Sequence, residues 1–383
     1  MKKINLKNDQ LQLYKRENSD FWQIKLKFPK QKAIRKTSGS KILEEAKKIA
    51  LNYYKKNNKL KNLNSFIKYK KYHFKNYNLI ETRTLSKKDI ESILKEAQKY
   101  VIFNKQRYKK NDILNGKTIF NLFFEDSTRT RTSFEVAAKR LGADLINVAV
   151  KDSSINKGET LLDTITTINS MAPDMLIVRH PEEGISEKIA KIVNASIINA
   201  GDGSHEHPTQ ALLDALTIKR KFKKFRGLNI AICGDVLHSR VARSNIQILT
   251  TLGANINIIG PKIWIPKDIQ NKNVKVYYNM KKGLKNCDIV MMLRIQKERI
   301  KSINIINIKE YFKKYGLDYK KLNFAKENAF VMHPGPMNRG VEIDSKLADD
   351  ITKSLIQEQV TMGVAIRMAC LEILINNRDK YGH

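Results

Sequence analysis

Apolar and polar residues alternate in three short runs near the start of the chain: Leu11–Arg16 (LQLYKR), Phe21–Phe28 (FWQIKLKF) and Lys32–Thr37 (KAIRKT). A period of two is the signature of half-buried strands. Thr37–Lys41 (TSGSK) reads as a turn with a helix cap. The period then lengthens to that of a helix over Ile42–Tyr54, with Ile42, Ala46, Ile49 and Ala50 expected on one face. Residues 55–75, rich in Lys and Asn, read as a connection. Beyond residue 76 strands and helices alternate. A capped helix is expected to start at Ser86 (SKKDIESILKEA), and Ser133–Leu141 reads as a helix closed by Gly142. Strands are expected at Ile119–Phe124, Met175–Arg179, Ser196–Asn199, Asn229–Gly234, Asn255–Gly260, Lys275–Tyr278, Asp288–Leu293 and Ala329–Met332. A long helix over about Ile351–Asn376 closes the pattern.

Strand–helix alternation of this length implies parallel sheets covered on both faces. The expected fold class is therefore α/β: two doubly wound parallel-sheet domains, preceded by a small extension of three strands and a helix. The boundaries read as an extension over 1–60, a linker over 61–75, a first domain over 76–215 joined by the final helix 351–377, and a second domain over 216–350. In such sheets ligands bind beyond the carboxyl ends of the strands.

Composition narrows the class. The chain has 383 residues, 42% of them hydrophobic, and no apolar run long enough for a membrane helix. Its basic start is not followed by a signal-peptide core, so a cytoplasmic location is expected. Cys233, Cys287 and Cys370 are odd in number and far apart, which points to reduced, buried thiols. The net charge is +34, and residues 1–80 carry 22 Lys or Arg against 5 Asp or Glu. Half of the excess thus sits in about a fifth of the chain. Either the extension binds a polyanion, or it shares a chain-wide bias toward Lys, Asn and Ile.

The densest chemistry lies at Phe123–Glu135 (FFEDSTRTRTSFE), where an apolar strand runs into Ser127, Thr128, Arg129, Thr130 and Arg131 before a helix. Unpaired N–H groups at a helix start suit phosphate, and Arg adds planar paired donors. Pro208 is well placed as a first helical residue, which puts His207 at a helix mouth with Gln210 one turn on. A donor there can polarise a carbonyl oxygen as charge develops.

The STRTR cluster resembles the phosphate loop of the aspartate and ornithine carbamoyltransferases. The resemblance covers roughly residues 76–377, through KGETLLDT (157–164), RHP (179–181), HEHPTQ (205–210), GDVLHSRVAR (234–243), LRIQKER (293–299) and HPGPMNR (333–339). It implies carbamoyl phosphate held by Ser127, Thr128, Arg129 and Thr130, with Arg179, His207, Gln210 and the backbone of Gly335 and Pro336 around its carbamoyl end. L-Aspartate would meet Arg240 and Arg294, assisted by Gln296. Ser153 and Lys157 would reach into a neighbour's site, which implies a homotrimer with shared active sites. Glu125 would latch the domains through Arg240 and Arg299. Arg129, Thr130, Arg179, His207 and Lys157 carry the catalytic roles. The implied reaction is direct attack of the amine on the carbamoyl carbon, in pyrimidine synthesis, with no covalent intermediate, metal or organic cofactor. Ornithine-type members usually carry a Cys in this motif (HCLP), where this chain reads His333-Pro334-Gly335-Pro336, so aspartate is the expected acceptor and ornithine the alternative. A separate regulatory chain is left open. Residues 11–54 also resemble the arm-type DNA-binding domain of tyrosine recombinases, which would make nucleic acid a partner through residues 1–60 alone.

Overall fold

A computed structural model describes residues 3–7, 10–27, 33–65, 74, 76–148, 160–295 and 308–381. The chain divides into two compact units, Met1–Lys71 and Tyr72–His383.

The first unit is an antiparallel sheet in the order β1 (Lys3–Lys7), β2 (Leu11–Lys15), β3 (Trp22–Leu26), β4 (Ile34–Thr37), followed by helix α1 (Leu43–Ser65). Leu11, Leu13, Trp22, Ile24 and Leu26 point to one side and bury against Ala46 and Ala50. The sheet has four strands where the sequence pattern indicated three; β1 is an edge strand with only Ile4 and Leu6 to mark it. The buried stripe of α1 also differs from expectation. It runs through Leu43, Ala46 and Ala50 at spacings of three and four, then through Tyr53 and Tyr54 one turn on. Ile42 and Ile49 fall beside it and remain 60% and 41% exposed. With no Gly or Pro after Tyr54 to stop it, α1 continues to Ser65, into the segment read as a linker.

The second unit holds two parallel sheets. One has the order β6-β5-β7-β8, formed by β5 (Thr118–Phe123), β6 (Asp144–Val148), β7 (Met175–His180) and β8 (Ser196–Asp202). The other has the order β11-β10-β9-β12-β13, formed by β9 (Asn229–Cys233), β10 (Asn255–Ile259), β11 (Val274–Tyr277), β12 (Ile289–Met292) and β13 (Phe330–Met332). Helices α2 (Lys87–Phe103), α3 (Thr128–Leu141), α4 (Leu161–Ser170), α5 (Ile185–Ala190) and α6 (Pro208–Phe222) accompany the first sheet. Helices α7 (Arg240–Thr251), α8 (Met280–Leu284), α9 (Ile308–Tyr315), α10 (Tyr319–Leu322) and α11 (Ser345–Asp349) accompany the second. The last helix, α12 (Ile356–Tyr381), packs on α2, α3 and α6 and is apolar over most of its length.

The strand orders fix where a ligand can sit. In the first sheet the chain steps from β5 outward to β6, then returns to place β7 on the other side of β5. In the second it steps from β9 to β10 and β11, then returns with β12 beside β9. Each reversal opens a crevice at the carboxyl ends of the two central strands. The segments leaving those ends are Glu125–Thr130 and Arg179 in the first sheet, and Gly234–Arg240 and Arg294 in the second.

Three local readings are corrected. Helix α3 starts at Thr128 rather than Ser133, so Arg129, Thr130 and Arg131 lie within its first turn. Strand β6 was not foreseen; it is an edge strand whose residues are mostly half-buried or exposed. The final helix starts at Ile356 rather than Ile351. Asp350 accepts from the backbone of Thr352 at 2.8 Å and from its hydroxyl at 2.6 Å, a turn that leaves Ile351 85% exposed. Cys233, Cys287 and Cys370 are free and buried. Among the described residues no helix is long and apolar enough to cross a membrane.

Candidate functional site

Both crevices face one cavity of about 710 Å³. From the first sheet it is lined by Glu125–Thr130, Arg179, His207 and Gln210. From the second it is lined by Ser239–Val241, Arg294 and the loop His333–Met337. Helix α12 closes it with Gln359, Gly363 and Arg367. Five guanidinium groups (Arg129, Arg179, Arg240, Arg294 and Arg367) thus meet two carboxylates, Glu125 and Asp126, on the described wall. The site suits an anion, or two.

The phosphate-type end is built by the turn from β5 into α3. Ser127 stands at the N-cap position, yet its hydroxyl makes no capping bond to the helix. The first-turn N–H groups therefore have no side-chain partner from the cap and keep their partial positive charge for a ligand. Arg129 leans on Gly335: a Cβ at that glycine would come within 2.6 Å of the guanidinium, and its φ is +61°. Glycine there lets the α3 turn and the His333–Met337 loop share one wall. Desolvation and the charge of Arg294 both lower the Arg129 pKa.

That loop is held from behind. Gly335 N–H donates to His333 Nδ1 at 2.8 Å, which leaves Nε2 as the protonated nitrogen facing Glu342 Oε1 at 3.2 Å. The backbone N–H of His333 donates to Gln359 Oε1 at 2.9 Å. Burial lowers the His333 pKa, against the pull of Glu342.

Glu125 joins the two halves of the site. Its Oε2 takes Arg240 at 2.6 Å and Arg179 at 2.9 Å. The Arg240 guanidinium also donates to Gly203 O at 3.1 Å. Arg240 is 5% exposed, so this pair is far better screened from water than a surface bridge. Gly201, at φ +119°, gives both arginines room: a Cβ there would lie 3.1 Å from Arg240 and 3.3 Å from Arg179.

His207 precedes Pro208, the first residue of α6, and is 4% exposed. Its backbone N–H donates to Ser244 Oγ at 2.8 Å, and its Nδ1 is buried without a hydrogen-bond partner among the described residues. Burial, then the charges of Arg179, Arg240 and Arg367, hold its pKa well below the ordinary value. The imidazole is therefore neutral near pH 7.

The structure brings together Glu125, Ser127, Thr128, Arg129, Thr130, Arg179, His207, Gln210, Arg240, Arg294, Gly335 and Pro336 on this cavity. Ser153, Lys157, Gln296 and Arg299 lie outside the described residues. Sequence reasoning did not single out Arg367 and Gln359. The signal for Arg367 was available: it is a lone cation inside the apolar stretch Met362–Ile375 of α12. It is 4% exposed, stacks 5.0 Å from the centre of the Phe134 ring, and burial pushes its pKa down to about 10.

Two family models match the chain: the aspartate/ornithine carbamoyltransferase carbamoyl-P binding domain over residues 77–220, and the Asp/Orn binding domain of the same family over 226–374. The aspartate carbamoyltransferase catalytic subunit of Rhodospirillum rubrum is 56% identical over 289 residues, 76% of this chain and 91% of the relative. That of Pelagibacter ubique is 55% identical over 295 residues, 77% and 94% of the two chains. Among solved structures, aspartate transcarbamoylase from Trypanosoma cruzi in complex with N-(phosphonacetyl)-L-aspartic acid aligns with a TM-score of 0.69 and 32% identity. That alignment covers 77% of this chain and 94% of the other. Ornithine carbamoyltransferase from Pyrococcus furiosus aligns with a TM-score of 0.71 and 25% identity, over 78% and 97%.

The neutral state of His207 has a thermodynamic consequence. Its folded pKa lies below its unfolded value near 6.5, so acid protonates the unfolded chain first and weakens the fold. As pH falls from 7.5 through 6.5, this single group therefore makes the fold progressively less stable. A His207→Gln chain should lose less stability than the unaltered chain over this window, as read from denaturant unfolding. Equal losses would mean that the folded imidazole is charged.

Proposed function

The chain belongs to the aspartate/ornithine carbamoyltransferase family, and we propose that it transfers the carbamoyl group of carbamoyl phosphate to L-aspartate, giving N-carbamoyl-L-aspartate and phosphate for pyrimidine synthesis. The observation that carries this reading is the meeting of both sheet crevices on one arginine-rich cavity. A phosphate dianion and a dicarboxylate together match that charge; ornithine brings a side-chain cation in place of the second carboxylate. The relatives above 50% identity named as aspartate carbamoyltransferases support the same choice.

In this reading residues 76–215, with the helix 351–377, bind carbamoyl phosphate, and residues 216–350 bind aspartate. Ser127, Thr128, Arg129 and Thr130 hold the phosphate. His207 offers a hydrogen bond to the carbamoyl oxygen, and it can do so as a neutral donor through one ring N–H. Arg179 adds positive charge as that oxygen becomes negative in the tetrahedral transition state. Gly335 and Pro336 border the carbamoyl group. Arg240 and Arg294 take the aspartate carboxylates, with Gln296. The aspartate amine attacks the carbamoyl carbon, the C–O bond to phosphate breaks, and the departing phosphate takes the amine proton. No side chain forms a covalent intermediate, so catalysis is positioning and electrostatics. Ser153 and Lys157 serve a neighbouring subunit's site in a cytoplasmic homotrimer, and Arg299 joins Glu125 in holding the closed state.

A second role for the extension is favoured by its sheet register. Helix α1 covers one face. On the other, cross-strand partners form a polar row, Asn5–Gln12–Lys25–Arg35, beside a second, Lys3–Tyr14–Gln23–Thr37, in which Tyr14 is buried. Glu17 and Asp20 belong to the β2–β3 connection, and Glu44 and Glu45 to α1. Lys, Arg, Asn and Gln are the side chains that read base edges in a major groove. We propose that this face binds duplex DNA.

Two measurements check these readings. A carbamoyl-acceptor screen with purified protein should give carbamoyl-aspartate with little product from ornithine; a preference for ornithine would overturn the acceptor assignment. In the intact chain, DNA affinity should fall steeply with salt and by at least about tenfold in Lys25→Ala/Arg35→Ala, each guanine-type contact contributing about 1–3 kcal/mol. An equal loss in Lys47→Ala/Lys48→Ala, on α1, would reduce the extension to a non-specific polycation.

A further inference from the structure

Behind the cavity wall lies a carboxylate that the catalytic reading does not use. Asp214, on α6, is fully buried and does not line the cavity. It accepts hydrogen bonds from three amides on three helices. Gln210 Nε2, from its own helix, and Gln359 Nε2, from α12, reach Oδ1 at 3.1 and 2.7 Å. Asn245 Nδ2, from α7, reaches Oδ2 at 2.8 Å. Two of these amides also form the cavity wall.

A carboxylate only accepts, so each amide must turn its nitrogen toward Asp214. For Gln359 this fits its other bond, since the remaining oxygen takes the backbone N–H of His333. For Gln210 the nitrogen is turned inward while the side chain borders the cavity, which leaves Oε1 as its polar atom on the ligand side. A glutamine with neither end fixed could present N–H2 or C=O at almost equal energy. The wall would then accept or donate indiscriminately.

We propose that Asp214 is a positioning residue that sets the polarity of this wall: it locks the Gln210 amide so that Oε1 faces the bound carbamoyl group and accepts from its NH2. The inference rests on the carbamoyl reading above and adds a source of specificity to it. A methyl group in the place of NH2, as in acetyl phosphate, would leave Oε1 desolvated and unpaired, which a buried acceptor tolerates poorly. Burial pushes the Asp214 pKa up to about 6, while the three amides and Arg367 pull it down, so it remains an acceptor at neutral pH. Asp214 also ties the phosphate side of the site to the His333 loop, because one oxygen serves both Gln210 and Gln359.

The test compares the intact chain with Asp214→Leu and Asp214→Asn, using the KM for carbamoyl phosphate and inhibition by acetyl phosphate and by inorganic phosphate. Asp214→Leu removes the acceptor. It should raise the carbamoyl phosphate KM about tenfold, with both inhibition constants within about twofold, a loss near the 1.4 kcal/mol of one tenfold step. Asp214→Asn keeps an oxygen for Gln210 and Gln359 while Asn245 turns over, so it should restore most of the discrimination. Equal weakening of all three ligands, or unchanged discrimination in Asp214→Leu, would overturn the proposal. Should Asp214→Leu fail to assemble, the unaltered chain labelled with 15N-glutamine decides: the Gln210 amide protons should exchange slowly with solvent. Exchange at the free-amide rate would show them facing the open cavity and refute the assignment. Failure of the unaltered chain to make carbamoyl-aspartate would instead refute the functional reading.

Discussion

Like-charged guanidinium groups gathered on one cavity are the constraint around which the second unit is organised. Arg129, Arg179, Arg240, Arg294 and Arg367 repel one another, and two of them, Arg240 and Arg367, have almost no contact with water. The protein offsets the cost locally. Glu125 bridges Arg179 and Arg240 and offsets one of their two charges, the Phe134 ring shields one face of Arg367, and His207 stays neutral rather than adding a further charge. What is left over is positive potential held in place before any substrate arrives. Such preorganised charge is what stabilises a transition state in which negative charge develops.

Topology delivers these charges to one point. Neither sheet could do so alone, because each reversal of strand order opens only one crevice. The two crevices converge because α12 returns from the second sheet to pack on α2, α3 and α6, carrying Gln359 and Arg367 with it. Gly201, Gly335 and Gly363 leave out Cβ atoms that would crowd Arg240 and Arg179, Arg129, and Arg367 respectively. Packing, backbone conformation and charge thus serve the same arrangement.

Much of this was legible in the sequence. Strand–helix alternation indicated the parallel sheets, and the STRTR, HPTQ and HPGP segments named the residues that meet on the cavity. What escaped reading was what depends on partners distant in the chain. Edge strands β1 and β6 have too few buried positions to leave a period. The face of α1 turned on a phase of one residue. Asp214 reads as an ordinary member of an amphipathic helix, since its meaning comes from Asn245 and Gln359, 31 and 145 positions away. Arg367 was visible as a lone cation within the apolar stretch Met362–Ile375, yet only the cavity explains it.

The central claim is that the empty site carries unfavourable like-charge energy that an anion relieves. Thermal denaturation of Arg129→Met beside the unaltered chain, at low ionic strength with and without inorganic phosphate, tests it directly. Arg129 lies close enough to Arg294 to have its pKa lowered by it, so removing its charge should raise the melting temperature of the phosphate-free protein. Phosphate should then stabilise the unaltered chain by mass action and leave the variant unmoved. A variant that melts lower without phosphate, or one that phosphate stabilises as strongly as the unaltered chain, would contradict the account.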